Sequence, residues 1–178
     1  MKKSNWTSFI TLFKREFYRF FKVPNNTIFP QLVTTLFYFL IFGIAIGTRI
    51  QEVSGVSYLL FLLPGLFVQN LINGSYSNPS GSLFVSRSFG NMQDVLIAPI
   101  SNLSLTLAYI SAGMLRGIFL ALGTILISLF FIRFPVHNIF LLLLYIILIT
   151  FAFACMGVII GLWSKTWDQL NIFINFIV

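Results

Sequence analysis

Residues 83–101 read LFVSRSFGNMQDVLIAPIS, and how they are read decides how the rest of the chain divides. This is the longest piece between apolar runs that still has the pattern of ordered structure. Its apolar residues (Leu83, Phe84, Val85, Phe89, Met92, Val95, Leu96 and Ile97) are too many for a solvated linker. Asn91 is a residue type that caps helix starts, and Asp94, three residues on, places an acid in the first turn. Pro99 then stops or bends the chain. The pattern predicts a short amphipathic helix over 91–98, lying beside a membrane and offering a handle for a partner protein. An interfacial loop that only joins two spans fits it equally well.

The membrane follows from composition. Of 178 residues, 58% are hydrophobic and 8% charged, whereas a soluble domain carries about 25% charged residues. The fold class is therefore an all-α polytopic membrane protein, with residues 1–178 forming one transmembrane domain. A net charge of +7 could suggest nucleic acid, but the basic residues bunch at the amino end. That distribution points to an anionic membrane surface and away from nucleic acid. The single cysteine, Cys155, excludes an internal disulfide, and no Cys/His cluster is present to hold a metal. The amino end is no cleavable signal, because basic residues recur through residue 22 with no apolar core before them.

Working outward, the spans are 28–47, 58–77, 103–131 and 139–162, each at or above the roughly 20 residues that cross a bilayer. Pro64-Gly65 is expected to kink the second. The third is long enough that it must tilt or begin in the interface. Residues 49–57 and 132–138 read as short polar connections, and 78–102 as a loop containing the central stretch. The stretch 163–169, WSKTWDQ, is a polar turn with interfacial tryptophans. Residues 170–178 open a fifth span that is too short to cross, so the chain is expected to be a fragment.

Residues 4–22 predict an interfacial amphipathic helix. Trp6, Phe9, Phe13, Phe17 and Phe20 fall on one stripe, and Arg15, Arg19 and Lys22 on the opposite face. Rings would enter the acyl boundary and cations would meet phosphates. A helix packed on another part of the protein is the alternative. With the amino terminus inside, the inner segments hold Lys2, Lys3, Lys14, Arg15, Arg19, Lys22, Arg87 and Lys165. The outer ones hold only Arg49 and Arg133. This bias predicts a cytoplasmic amino terminus and cytoplasmic 83–101 and 163–169 stretches.

Within the spans, Arg116 is the one deep charge. It must be paired, solvated or snorkelling, and it either anchors the fold or contacts an anionic substrate. Gln69, Asn73 and Tyr76 share a helix face, which suits a conduit or ordinary interhelical hydrogen bonds. Gly43-x-x-x-Gly47, Gly113-x-x-x-Gly117 and Gly157-x-x-x-Gly161 read as packing faces. His137 reads as an exposed turn residue. There is no phosphate-binding G-x-x-x-x-G-K-[ST] loop and no intramembrane acid pair. Hence no catalytic residues are expected.

The run Phe84-x-x-Arg87 followed by Asn91-Met92-x-Asp94-x-Leu96-Ile97-x-Pro99-Ile100-Ser101 resembles the signature loop of the permease subunits of type-2 ATP-binding cassette transporters, mostly exporters. The order and length of the spans extend the resemblance over the chain, although the family has six spans and usually Glu where Asp94 stands. The resemblance implies a permease that is not itself an enzyme, forming the translocation path in the cell membrane (inner or plasma membrane). It also implies that Phe84, Arg87, Phe89, Asn91, Met92, Asp94, Leu96 and Pro99 couple to an ATPase subunit. Lys165, Trp167 and Asp168 would make a second, smaller contact. ATP and Mg would be bound by that partner, with no cofactor in this chain, and a second permease copy would complete a homodimer. Gln69, Asn73, Tyr76 and Arg116 are candidate path residues; Trp6, Phe13, Phe17, Arg15, Arg19 and Lys22 are candidate membrane-interface residues. The rival readings are a carrier or channel without an ATPase and a non-transporting scaffold.

Overall fold

The computed structural model describes residues 2–22, 24–46, 52–53, 55–98, 100–132 and 138–177. Arg49, Arg133, His137 and Pro99 lie outside the described residues, as does Gly47 of the first glycine pair. The chain is helical almost throughout: α1 Lys2–Lys22, α2 Pro24–Thr27, α3 Phe29–Leu40, α4 Tyr58–Ser88, α5 Asn91–Ile97, α6 Asn102–Leu129, α7 Ile139–Trp163 and α8 Trp167–Ile177. It is an all-α polytopic membrane protein. Among the described residues three helices, α4, α6 and α7, are long and apolar enough to cross a membrane.

α4 is the central element, packed between α6 and α7. Small residues let it sit there. On α6, a Cβ at Gly117 would stand 2.7 Å from the Leu71 carbonyl oxygen, and one at Gly113 2.8 Å from that of Ser75. On α7, a Cβ at Gly157 would meet the Tyr76 carbonyl at 2.5 Å, and one at Gly161 the Ser80 Cα at 2.8 Å. The two expected glycine faces are therefore used inside the molecule, where backbones approach closely.

Three expectations need correction. The stretch after 77 is not a loop, because α4 runs unbroken to Ser88. The sequence SNPSGS resembled a loop, but its Pro79 is buried between the two glycine faces, within reach of Gly113 and Gly157. Proline frees a carbonyl four residues back; here that Ser75 oxygen faces Gly113 in the packed interior, where neighbouring helices tolerate such a break. The first span is not one long helix either. α3 has 12 residues, which rise only about 18 Å, and it passes into a π-helical segment, Ile41–Ile46. Finally, part of the 49–57 connection is a small hairpin, Glu52–Val53 (β1) pairing antiparallel with Val56–Ser57 (β2). Its turn uses Gly55 at φ 78°, where a side chain would be strained.

α1 packs along α6. Its protein-facing seam is Leu12, Glu16 and Phe20, spaced by one helical turn and lying between the aromatic stripe and the basic side. Phe20 joins Ile28 and Leu120 in a core cluster, with Phe17 and Leu32 against it. Phe21 meets Phe119 edge-on at 5.2 Å. The alternative sequence reading, a helix packed on the protein, thus describes much of α1, and Trp6 stays exposed at its beginning. α7 is the most lipid-like element, with Leu143, Tyr145, Ile147, Leu148 and Ile159 all exposed.

Candidate functional site

The end of α4 assembles the residues singled out in 83–101, but it divides them into inward and outward sets. Ser88 closes α4, and Gly90, at φ 77°, turns the chain into α5. Gly90, not Asn91, is the N-cap of α5, since the sharp reversal needs a left-handed residue. The Gln93 N–H donates to the Gly90 carbonyl at 3.1 Å.

The inward set holds the corner together. Phe84 is 5% exposed and meets the Trp167 ring at 4.6 Å, edge to face. Arg87 donates to the carbonyl of Leu162, in the last turn of α7, where carbonyls lack intrahelical partners and a cation is favoured. Met92 packs against the core cluster of Leu83, Tyr109, Ile110, Ala154 and Val158. Phe84, Arg87 and Met92 are thus occupied within this chain.

The outward set is apolar and bare. Phe89 is 75% exposed, Leu96 61% and Ile97 82%. Asn91 is exposed beside them. Asp94 lies on α5, but its side chain is outside the described residues. Ile97 was grouped with the apolar residues of the stretch without a role of its own; its position at the last turn of α5 supplies one.

The second expected contact lies at the same end of the bundle, because Arg87 and Phe84 tie α4 to the α7–α8 corner. Lys165, Trp167 and Asp168 are exposed there. The turn is fixed by a cap legible in the sequence T-W-D-Q: the Gln169 N–H donates to Thr166 Oγ1 at 3.3 Å, and Gln169 Oε1 accepts from the Lys165 N–H at 2.8 Å.

The four expected path residues do not form one surface. Gln69 and Asn73 line a cavity of about 270 Å³ together with Gln31, Thr34 and Tyr38. Tyr76 is buried, and its hydroxyl donates to the Leu170 carbonyl of α8 at 3.3 Å. Arg116, on α6, donates from Nη2 to the Thr27 carbonyl at 3.0 Å. It lines a different cavity. Beside the first cavity, Asn70 ties three helices together, donating from Nδ2 to Thr35 Oγ1 at 2.8 Å and Thr124 Oγ1 at 2.6 Å.

Sequence reasoning also missed a charged cluster between α1, α4 and α6. Glu16 is 2% exposed and pairs with Arg15 at 3.1 Å and Arg19 at 3.3 Å. Ser82 donates at 2.6 Å to Glu16 Oε2, the oxygen that Arg19 also meets, whereas Arg15 takes Oε1. Arg15 reaches on to the Tyr109 hydroxyl at 2.9 Å, and Arg19 to the Asn78 carbonyl and Oδ1 at 3.2 and 3.3 Å. These two arginines were expected to meet lipid phosphates. Protein groups also engage their heads, because a buried carboxylate must be paired. The signal available was Glu16 beside Arg15 and three residues before Arg19, a spacing that brings side chains together.

Comparison with known proteins agrees with this architecture. The chain is 31% identical to the inner membrane transport permease YadH of Escherichia coli K12 over 172 residues, covering 97% of this chain and 67% of that protein. The YadH protein of Shigella flexneri matches to the same extent. No solved structure matches the chain significantly. The family model for ABC-2 type transporters matches residues 7–178, so with the central stretch, the packed long apolar helices and the permease relatives in agreement, this chain belongs to the ABC-2 type transporter membrane family.

Proposed function

We propose that the chain is the membrane-spanning subunit of an ATP-binding cassette exporter and that α5 docks on a separate ATPase subunit. The observation that carries this reading is the α4–α5 corner: α5 is packed on the bundle through Met92, while Phe89 just before it and Leu96 and Ile97 in its last turn stand bare. An amphipathic helix seated in an apolar groove is a common recognition mode. The exposed Lys165, Trp167 and Asp168 lie at the same end of the bundle and add a second contact. The Lys and Arg bias supports a cytoplasmic amino terminus and puts both contacts on the cytoplasmic side, where an ATPase is. ATP and Mg belong to that partner, and a second permease copy completes the translocation path.

The test is copurification of the ATPase with the complete permease. Truncating a buried apolar anchor of an interface costs about 2 kcal/mol or more, so Leu96→Ala is expected to weaken the complex about thirtyfold. Leu96 lies outside the long apolar helices, so insertion is expected to be unchanged. Undiminished copurification after combined replacement of Phe89, Leu96 and Ile97 by Ser would reject the docking role.

A further inference from the structure

Arg116 is a buried charge with no carboxylate partner among the described residues. It is 9% exposed, and its Nη2 has the Thr27 carbonyl as partner. Its Nε has no hydrogen-bond partner among the described residues. Asn78 is similar: 1% exposed, its Oδ1 taken by Arg19, its Nδ2 without a partner. Both side chains line one cavity of about 390 Å³, and Arg19 lines it with them. No Asp or Glu among the described residues lines it. Arg19 already shares its charge with Glu16, which leaves Arg116 uncompensated.

Buried polar groups without partners are costly, and a buried unpaired cation more so. Here the leftover groups are all donors. Two guanidiniums and an amide N–H around one space are complementary to an oxyanion with several acceptor oxygens, and arginine matches phosphate in a bidentate fork. Phe20 and Trp167 give the same cavity apolar walls, which suit the glycerol and acyl parts attached to a lipid phosphate. Basic pockets between membrane helices are a recurrent form of headgroup site.

We propose that this cavity binds a phosphate oxyanion, held by Arg116, Arg19 and the Asn78 amide. The site requires only that the chain is a membrane protein and is independent of the ATPase. Its source is either an anionic lipid headgroup or free phosphate, and the test separates the two.

The complete protein is placed in phosphatidylcholine nanodiscs with Trp6 and Trp163 replaced by Phe, so that Trp167 reports from the cavity wall. Phosphatidylglycerol content is then raised in one series and inorganic phosphate in another, with Trp167 emission and melting temperature as readouts. A saturable shift in both is expected with phosphatidylglycerol. The same shift with inorganic phosphate assigns the site to the phosphate group alone; its absence there assigns it to the lipid. Arg116→Lys keeps a charge but loses the fork, and its affinity is expected to fall about tenfold, the equivalent of one charge-assisted hydrogen bond. Asn78→Asp is the decisive variant. It keeps the acceptor for Arg19 while setting a carboxylate between two guanidiniums, so it is expected to raise the melting temperature and abolish the response to both probes. No saturable response in the unmodified site, a response that survives Asn78→Asp, or a lower melting temperature in that variant would overturn the proposal.

Discussion

The seam between α1 and the bundle and the α4–α5 corner invert the usual placement of residue types. The seam buries charge: Glu16 lies at 2% exposure between two arginines and Ser82. The α4–α5 corner exposes hydrocarbon: Phe89 before α5 and Leu96 and Ile97 at its end stand bare. In the seam Glu16 and the two arginines have found counter-charges within one chain, which ties α1 to the bundle. At the α4–α5 corner Phe89, Leu96 and Ile97 have found none, while Met92, one turn before Leu96, packs on the core. The difference teaches where the molecule ends and where a partner begins. Satisfied polar networks fix elements to each other, whereas an unpartnered apolar patch marks a surface for association.

Breaking the seam is expected to have the largest effect. Glu16→Ala leaves Arg15, Arg19 and Ser82 without their common acceptor. Removing one partner of a buried pair costs about 3–5 kcal/mol. Because both guanidiniums are half-exposed and can turn to water, the lower end, about 3 kcal/mol, is expected. Thermal unfolding in detergent measures it. A loss under about 1 kcal/mol, the size of an exposed pair, would show that Phe20 and Leu12 alone hold α1.

Next comes the close packing that lets α4 sit between its neighbours. Gly117→Val forces atoms against the Leu71 carbonyl and Ser75, and overpacking of this kind typically costs about 1–3 kcal/mol. Reduced yield and a lower melting temperature are expected; unchanged stability would mean that the α4–α6 contact is loose.

The smallest effect sharpens the contrast within α5. Met92→Ala loosens the anchor and is expected to destabilise by about 1 kcal/mol, less than a full core truncation because Met92 is only half-buried. Leu96→Ala should leave folding within about 0.5 kcal/mol, as exposed positions usually do. Equal losses in the two would mean that Met92 anchors α5 no more than the exposed Leu96 does.

The long apolar spans, the short helix after the second of them and the amino-terminal helix were legible because each is written in local periodicity. Asn91–Ile97 needed only its apolar spacing and a following proline. What was not legible depends on distant partners. Ser82 reaches Glu16 across 66 positions, and nothing near Arg87 indicates that it satisfies a carbonyl of α7. The continuation of α4 past 77 was hidden for a related reason: Asn, Pro, Gly and Ser favour turns in water, yet here Pro79 and its small neighbours fit between two glycine faces. Gln69, Asn73 and Tyr76 share a face of α4, yet a shared face does not set how far each side chain reaches: Gln69 and Asn73 line one cavity and Tyr76 bonds to α8.

The most direct test of the account is protection of α5 by its partner. In a Cys155→Ser background, Ile97→Cys places one thiol at the bare corner. Inverted membrane vesicles, with their cytoplasmic side outward, are treated with a membrane-impermeant thiol reagent before and after the ATPase is stripped away. The account predicts slow labelling in the complex and fast labelling once the partner is removed. Equal rates in both states, or labelling only from the opposite side of the membrane, would contradict it.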